Sequence, residues 1–271
     1  MPASEMPPSP PPALRPNRSY APLRTISALM LREMSTRYGR TPGGYIWAVL
    51  EPLGMIALLA VGFSLLLRTP SLGTSFLLFY ASGFLPFNLY QSIAAAVSKS
   101  LSFSKPLLAY PSVSWIDAIL ARFLLNLLTA SMVAYILLTA ILLTVDTRTI
   151  LHMAPIIQAM SLAALLGLGV GLLNTVLMGL YPTWEVIWSI ATRPLLLMSG
   201  VIYIYEDLPR VAQDILWYNP LLHLTGLMRT GIYPMYNPDY ISVPFVIYVA
   251  LVLLTLGLIL LRRYYREILN A

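Results

Sequence analysis

The chain has 271 residues, 58% of them hydrophobic and only 10% charged, with a mean hydropathy of +0.75. Soluble domains carry about 25% charged residues, so this composition excludes an ordinary soluble enzyme or nucleic-acid-binding domain and places the chain in a bilayer. It holds no cysteine, which excludes disulfides and thiolate metal sites, and its net charge of +6 informs chiefly through its placement along the chain.

Residues 1–22 hold eight of the 22 prolines and almost no large apolar side chains. Such a segment cannot bury enough surface to order itself, so a flexible cytoplasmic tail is expected. It also lacks the charged start and apolar run of a cleavable signal peptide. Over 23–40 the pattern changes. Ile26, Met30, Met34 and Tyr38 fall at i+4 steps, while Arg24, Ser27, Arg32, Ser35 and Arg37 point elsewhere. This predicts an amphipathic helix lying in the membrane interface; a plain surface helix would give the same spacing. Residues 37–54 then read RYGRTPGGYIWAVLEPLG. Arg37 and Arg40 suit lipid head groups, Pro42-Gly43-Gly44 ends the preceding helix, and Tyr45 and Trp47 suit the interface.

From residue 41 to 271 a membrane domain is expected. Six apolar segments, at 45–67, 74–97, 116–145, 154–180, 186–204 and 243–261, each approach the ~20 residues needed to cross the hydrocarbon. The third is long enough to project or tilt. Gly167, Gly169 and Gly171 in the fourth allow close helix packing. Between the fifth and sixth, 205–242 is apolar yet interrupted by Pro209, Pro220, Pro234 and Pro238. It is too apolar for a solvated loop and too broken to cross, which predicts short re-entrant helices lining protein or a wet cavity. With the amino terminus inside, Arg15, Arg18, Arg24, Arg32, Arg37, Arg40, Lys99, Lys105, Arg262, Arg263 and Arg266 are cytoplasmic, against Arg68, Arg148, Arg210 and Arg229 outside. That bias puts both termini in the cytoplasm and 205–242 outside. The predicted fold is thus an all-α membrane protein of six transmembrane helices, an N-terminal interfacial helix and an external re-entrant segment.

The order Arg37, Tyr38, Gly39, Thr41, Gly44, Trp47, Pro52 resembles the approach to the first span of type-2 ABC transporter permeases, above all those of bacterial inner membranes that export capsular or O-antigen polysaccharide. The likeness extends over nearly the whole chain. It implies a homodimer of permeases on two ATPase subunits moving lipid-linked polysaccharide, and it leaves open periplasmic or outer-membrane export proteins as further partners. No G-x-x-x-x-G-K-[ST] occurs, so this chain itself binds no cofactor by that route; ATP and Mg belong to the partner ATPase. Between the second and third spans, Lys99 and the run Lys105, Pro106, Leu107 to Tyr110 and Pro111 resemble the segment that couples such permeases to their ATPase. The other internal loop, 181–185, is too short for a sizeable contact.

Catalysis finds little support. His152 and His223 are far apart, and no cluster has metal-ligand spacing. Asn219, Pro220, His223 and Arg229 resemble an N-P-x-x-H signature before the last span of these permeases. They mark either an outer gate or a polar set that satisfies broken helix ends. Arg122 and Arg193 lie within spans, where a mid-bilayer charge costs about 2.5 to 3.5 kcal/mol. They either snorkel to the head groups or face a polar pathway for an anionic glycolipid. Tyr203, Tyr205, Trp217, Tyr218, Tyr233, Tyr236 and Tyr240 crowd the external end, as an interfacial belt or as an aromatic lining for a sliding glycan. Two rivals stand beside polysaccharide export: a drug- or small-molecule-exporting permease of the same superfamily, and a membrane-embedded glycolipid transferase. The transferase would need converging acids and histidines, for which only Glu206, Asp207 and His223 offer material.

Overall fold

A computed structural model describes residues 21–38, 43–108, 113–145 and 150–270, which form helices and turns with no strand among them. In chain order the helices are α1 (Ala21–Tyr38), α2 (Ile46–Ser64), α3 (Phe76–Ser98), α4 (Ser100–Leu108), α5 (Trp115–Thr144), α6 (Met153–Leu180), α7 (Thr183–Thr192), α8 (Leu195–Met198), α9 (Arg210–Leu216), α10 (Pro220–Ile232) and α11 (Val243–Asn270).

Four of these, α2, α5, α6 and α11, are long and apolar enough to cross a membrane, which makes the chain a multi-pass membrane protein. The expected second segment, α3, has 23 residues, a rise of about 35 Å that also suffices for a crossing. Its hydropathy is lowered by Asn88, Gln91 and several serines and tyrosines. The expected fifth segment departs furthest from a simple span. It is broken into α7 and α8 at Arg193-Pro194, because proline has no N–H to continue the ladder and its ring clashes with the preceding turn. At 30 residues α5 rises about 45 Å, more than the hydrocarbon thickness. Its start is fixed by a reciprocal capping box between Ser114 and Asp117.

The core sits around α6, of whose most apolar stretch 56% is buried, against 17% for α2 and for α11. Glycine makes this central position possible. A Cβ on Gly167 or Gly171 would collide with Tyr90, Ile93 or Val97 of α3, and one on Gly169 with the α11 backbone at Ala250. Backbones therefore approach closely on both sides of α6, and Thr175 Oγ1 donates across the seam to the Val97 carbonyl at 2.9 Å.

The bundle has two chemically different ends. One gathers α1, α4, the start of α7 and the last turns of α11. At the other, α10 caps the amino-terminal ends of α3 and α6: the His152 N–H donates to the Gly231 carbonyl at 2.8 Å, and the Arg229 guanidinium lies over the Phe79 ring at 4.3 Å.

Candidate functional site

A cleft of about 800 Å³ cuts into the apolar bundle between α1, α2, α3, α5 and the α7–α8 break. Its wall is polar for a membrane protein: Asn88, Gln91 and Ser92 from α3, Asn126 and Thr129 from α5, Glu51 from α2, Glu33 and Thr36 from α1. Residues that are far apart in sequence meet here, for Arg122, Arg193, Lys99 and Pro52 all line it.

The two arginines differ in their surroundings. Arg122 is buried, and its Nε donates to Glu33 Oε2 at 3.2 Å while Nη1 donates to the Ala96 carbonyl at 2.9 Å. The Phe103 ring of α4 lies 4.2 Å from its guanidinium carbon. Arg122 thus ties α1, α3, α4 and α5 together, with its charge met by a carboxylate that is itself only 4% exposed. Arg193 caps the C-terminus of α7 at the helix break; it is exposed toward the cleft and has no ion-pair partner among the described residues. Glu33 escaped the sequence reading, although a signal existed. It follows Ile26 and Met30 at i+7 and i+3, so it is a lone carboxylate on the buried side of α1, and such a group needs a cationic partner.

Beside the cleft, the segment with the ATPase-coupling resemblance is a helix rather than a plain loop. α4 buries Leu101 and Ser104, leaves Leu107 partly covered and exposes Lys105 and Pro106. Tyr110 and Pro111 lie outside the described residues. Lys99, at the α3–α4 corner, pairs at 2.7 Å with Glu185 in the first turn of α7, so the short 181–185 connection meets this corner. Both side chains are more than half exposed, and such a pair contributes little to stability.

Of the run approaching the first long helix, Gly39 and Thr41 lie outside the described residues, as do the side chains of Arg37 and Tyr38. Gly43 and Gly44 form a turn with φ of 91° and 45°, a left-handed pair that side chains with a Cβ adopt reluctantly. Trp47 follows exposed, and Pro52 is buried within α2 against the cleft.

At the opposite end most of the polar set is engaged with backbone, while Arg229 Nε is buried with no hydrogen-bond partner among the described residues. Asn219 caps α10 by accepting from the Leu221 N–H at 3.1 Å, and its Nδ2 donates to the Met198 carbonyl at 2.9 Å. Pro220 occupies the first turn, where no N–H is required. Thr225 donates to the Ser199 carbonyl at 2.8 Å, and Arg229 donates to the carbonyls of Tyr203 at 2.7 Å and Val201 at 3.0 Å. Three side chains of one short helix therefore hold the chain that leaves α8. His223 accepts at Nδ1 from the Ser242 N–H at 3.1 Å, so its Nε2 carries the proton and donates to the Trp217 carbonyl at 2.7 Å. The ring is neutral, and burial pushes its pKa below the usual histidine value.

The aromatics of this end pack mostly on one another. Tyr205 stacks on Tyr240 at 4.2 Å, and Trp217 meets His223 at 5.4 Å and Phe245 at 5.0 Å. Tyr236 donates to Glu206 Oε2 at 3.0 Å, and Tyr233 is buried. Tyr203 is partly covered, whereas Tyr218 is 71% exposed. Glu206 and Asp207 are engaged by Tyr236 and Ser71 respectively. Among the described residues no group of three or more histidines and acids could hold a metal ion.

The sequence profile of the family described as ABC-2 type transporter matches residues 24–233. The chain is 30% identical over 238 residues to the polysialic acid transport protein KpsM of Escherichia coli, covering 88% of this chain and 92% of that protein. To the capsule polysaccharide export inner-membrane protein BexB of Haemophilus influenzae it is 29% identical over 242 residues, covering 89% and 91%. To the capsule polysaccharide export inner-membrane protein CtrC of Neisseria meningitidis serogroup B it is 26% identical, with the same coverage.

Proposed function

This chain belongs to the ABC-2 type transporter family, and from that membership we propose that it is the permease subunit of an ATP-driven exporter that moves lipid-linked capsular polysaccharide across the bacterial inner membrane. The observation that carries the proposal is the match over 88–89% of the chain to proteins named for polysialic acid transport or capsule polysaccharide export.

In this reading α2, α3, α5, α6 and α11 cross the membrane, the broken pair α7 and α8 makes the sixth passage, and both termini are cytoplasmic. α1 lies in the cytoplasmic interface. Two copies face one another across their open clefts and rest on two ATPase subunits, which bind the ATP and Mg. The exposed Lys105 and Pro106 of α4, with Lys99 and Leu107 beside them, form the seat for that ATPase. Arg193 meets the anionic part of the substrate, while Arg122 orders the wall behind it. The α10 cap with Asn219, His223 and Arg229 is the outer gate, and Tyr218 offers its open ring to the emerging glycan. Periplasmic or outer-membrane export proteins would receive the product.

The test is co-purification of the full chain with a tagged ATPase partner, followed by reconstitution with lipid-linked glycan. A stable complex whose ATP turnover rises with glycan, and whose export falls when Arg193 is replaced by Gln, is the expected result. A solitary chain with no ATPase affinity, or turnover stimulated by amphipathic drugs and indifferent to glycan, would defeat the proposal.

A further inference from the structure

The carboxy-terminal turns of α11 and the start of α5 enclose a second cleft of about 700 Å³, separate from the one described above. Arg262, Arg263 and Arg266 line it together with Tyr265, Trp115, Ile116 and Leu258. The three guanidiniums are exposed, and none has a carboxylate within ion-pair distance among the described residues. The acid at the start of α5 is already engaged, since Asp117 Oδ2 accepts from the Ser114 N–H at 3.0 Å and from the Ser114 hydroxyl at 2.7 Å. Arg266 donates from Nε to the Tyr265 hydroxyl at 3.0 Å, which orients it without neutralising it. Arg262 and Arg266 stand at i and i+4 on one helix face, an arrangement that like charges disfavour unless an anion lies between them.

The apolar part of the cleft indicates the form in which that anion arrives. Leu258 and Ile116 are 39% and 47% exposed, and along α11 the exposure continues through Leu251 and Ile259. An apolar, outward-facing helix thus runs directly into a cationic rim, and Trp115, its ring 6.1 Å from that of Tyr265, stands where the two meet. A free inorganic anion would make no use of the apolar floor. We infer that this cleft is a binding site for an anionic glycerophospholipid of the surrounding membrane, with its phosphate held by Arg262, Arg263 and Arg266 and its acyl chains laid along α11. The site is independent of the exported substrate. It anchors the start of α5 and the end of α11 at the depth of the head groups.

The test uses the full-length chain, delipidated in detergent and titrated with dioleoyl phosphatidylglycerol, dioleoyl phosphatidylcholine or inorganic phosphate, with bound lipid counted by native mass spectrometry. Phosphatidylglycerol is expected to bind, and the double variant Arg262→Gln/Arg266→Gln to bind it about 25-fold more weakly, at about fivefold per arginine near an anionic surface. Arg210→Gln, at the opposite end of the bundle, should leave binding unchanged. Should the glutamine pair melt lower than wild type, Arg262→Lys/Arg266→Lys carries the test, and retention of affinity within about fivefold is expected. Equal affinity of the glutamine pair and wild type would overturn the inference, as would phosphate competing at concentrations similar to lipid. A glutamine pair that keeps lipid affinity but loses the ATPase partner would make this face a protein contact and overturn it equally.

Discussion

Arg122 and Arg229 are both buried cations, yet their compensation differs in kind. Arg122 is paired with Glu33, so replacing Glu33 by Gln leaves a buried guanidinium in the cleft wall without its carboxylate, while its contacts with the Ala96 carbonyl and the Phe103 ring persist. The expected loss is about 3 kcal/mol, at the lower end of the range for breaking a buried pair because those two contacts persist. Arg229 has no carboxylate within ion-pair distance among the described residues; it donates to the carbonyls of Val201 and Tyr203. Arg229→Met should cost a similar amount by leaving two buried acceptors unmet, at about 1 to 3 kcal/mol each before relaxation. Thermal melts of the purified chain measure both, and proteolysis separates them: Glu33→Gln should expose α1 and leave the α8–α9 connection protected, while Arg229→Met should do the reverse. His223 adds a dependence on pH. Burial holds its folded pKa below the usual 6.5, so the neutral ring contributes stability that is present above about 6.5 and lost as pH falls through the folded value. Protonation would also place an N–H against the Ser242 N–H. Hydrogen exchange at Ser242, corrected for intrinsic rate, should therefore quicken from about pH 7.5 to about pH 5. The same acceleration in His223→Gln would assign the effect elsewhere.

Among the elements, α6 shows how a glycine pattern becomes a structural demand. A Cβ on Gly171 would sit 2.7 Å from Val97 Cβ and 3.2 Å from the Ala94 carbonyl, so Gly171→Leu must push α3 away, at a cost of about 1 to 3 kcal/mol or more. Gly54 and Gly62 of α2 have nothing within 4 Å of an added Cβ among the described residues, and alanine there should be neutral or stabilising, since it is the better helix former. A melt in which Gly171→Leu and Gly62→Ala behave alike would contradict the central position of α6. The long apolar segments were legible because hydropathy over twenty residues is a property of the segment itself. The break of the fifth segment was visible as Pro194 but concealed by apolar residues on both sides. α4 was hidden as a helix because Lys105-Pro106 within it suggests a loop. The Glu33–Arg122 pair spans 89 positions, and no local pattern could supply its second member. At the α10 end the signature residues were recognisable, while their engagement with the backbone of 198–203 depends on how α10 docks.

For the whole molecule, the decisive property is that its two ends have different chemistry. Near one end lie Lys99, Lys105 and the arginines of α11, with α1 packed against α5; at the other, α10 covers the starts of α3, α6 and α11 with an aromatic layer that encloses a neutral histidine. On the reading proposed above, the excess of lysine and arginine makes the first end the cytoplasmic one. The absence of native cysteine permits a clean test of this polarity. Ser102→Cys in α4, Asn270→Cys at the end of α11 and Arg210→Cys in α9 each introduce a single thiol at an exposed position. In intact cells a membrane-impermeant maleimide should label residue 210 and spare 102 and 270, whereas in inverted vesicles the pattern should reverse. If 102 and 210 were labelled from the same side, α4 and the α10 cap could not be at opposite faces of the membrane. The cleft would then open away from any cytoplasmic motor, and an export stroke driven through α4 would have no route to the cap.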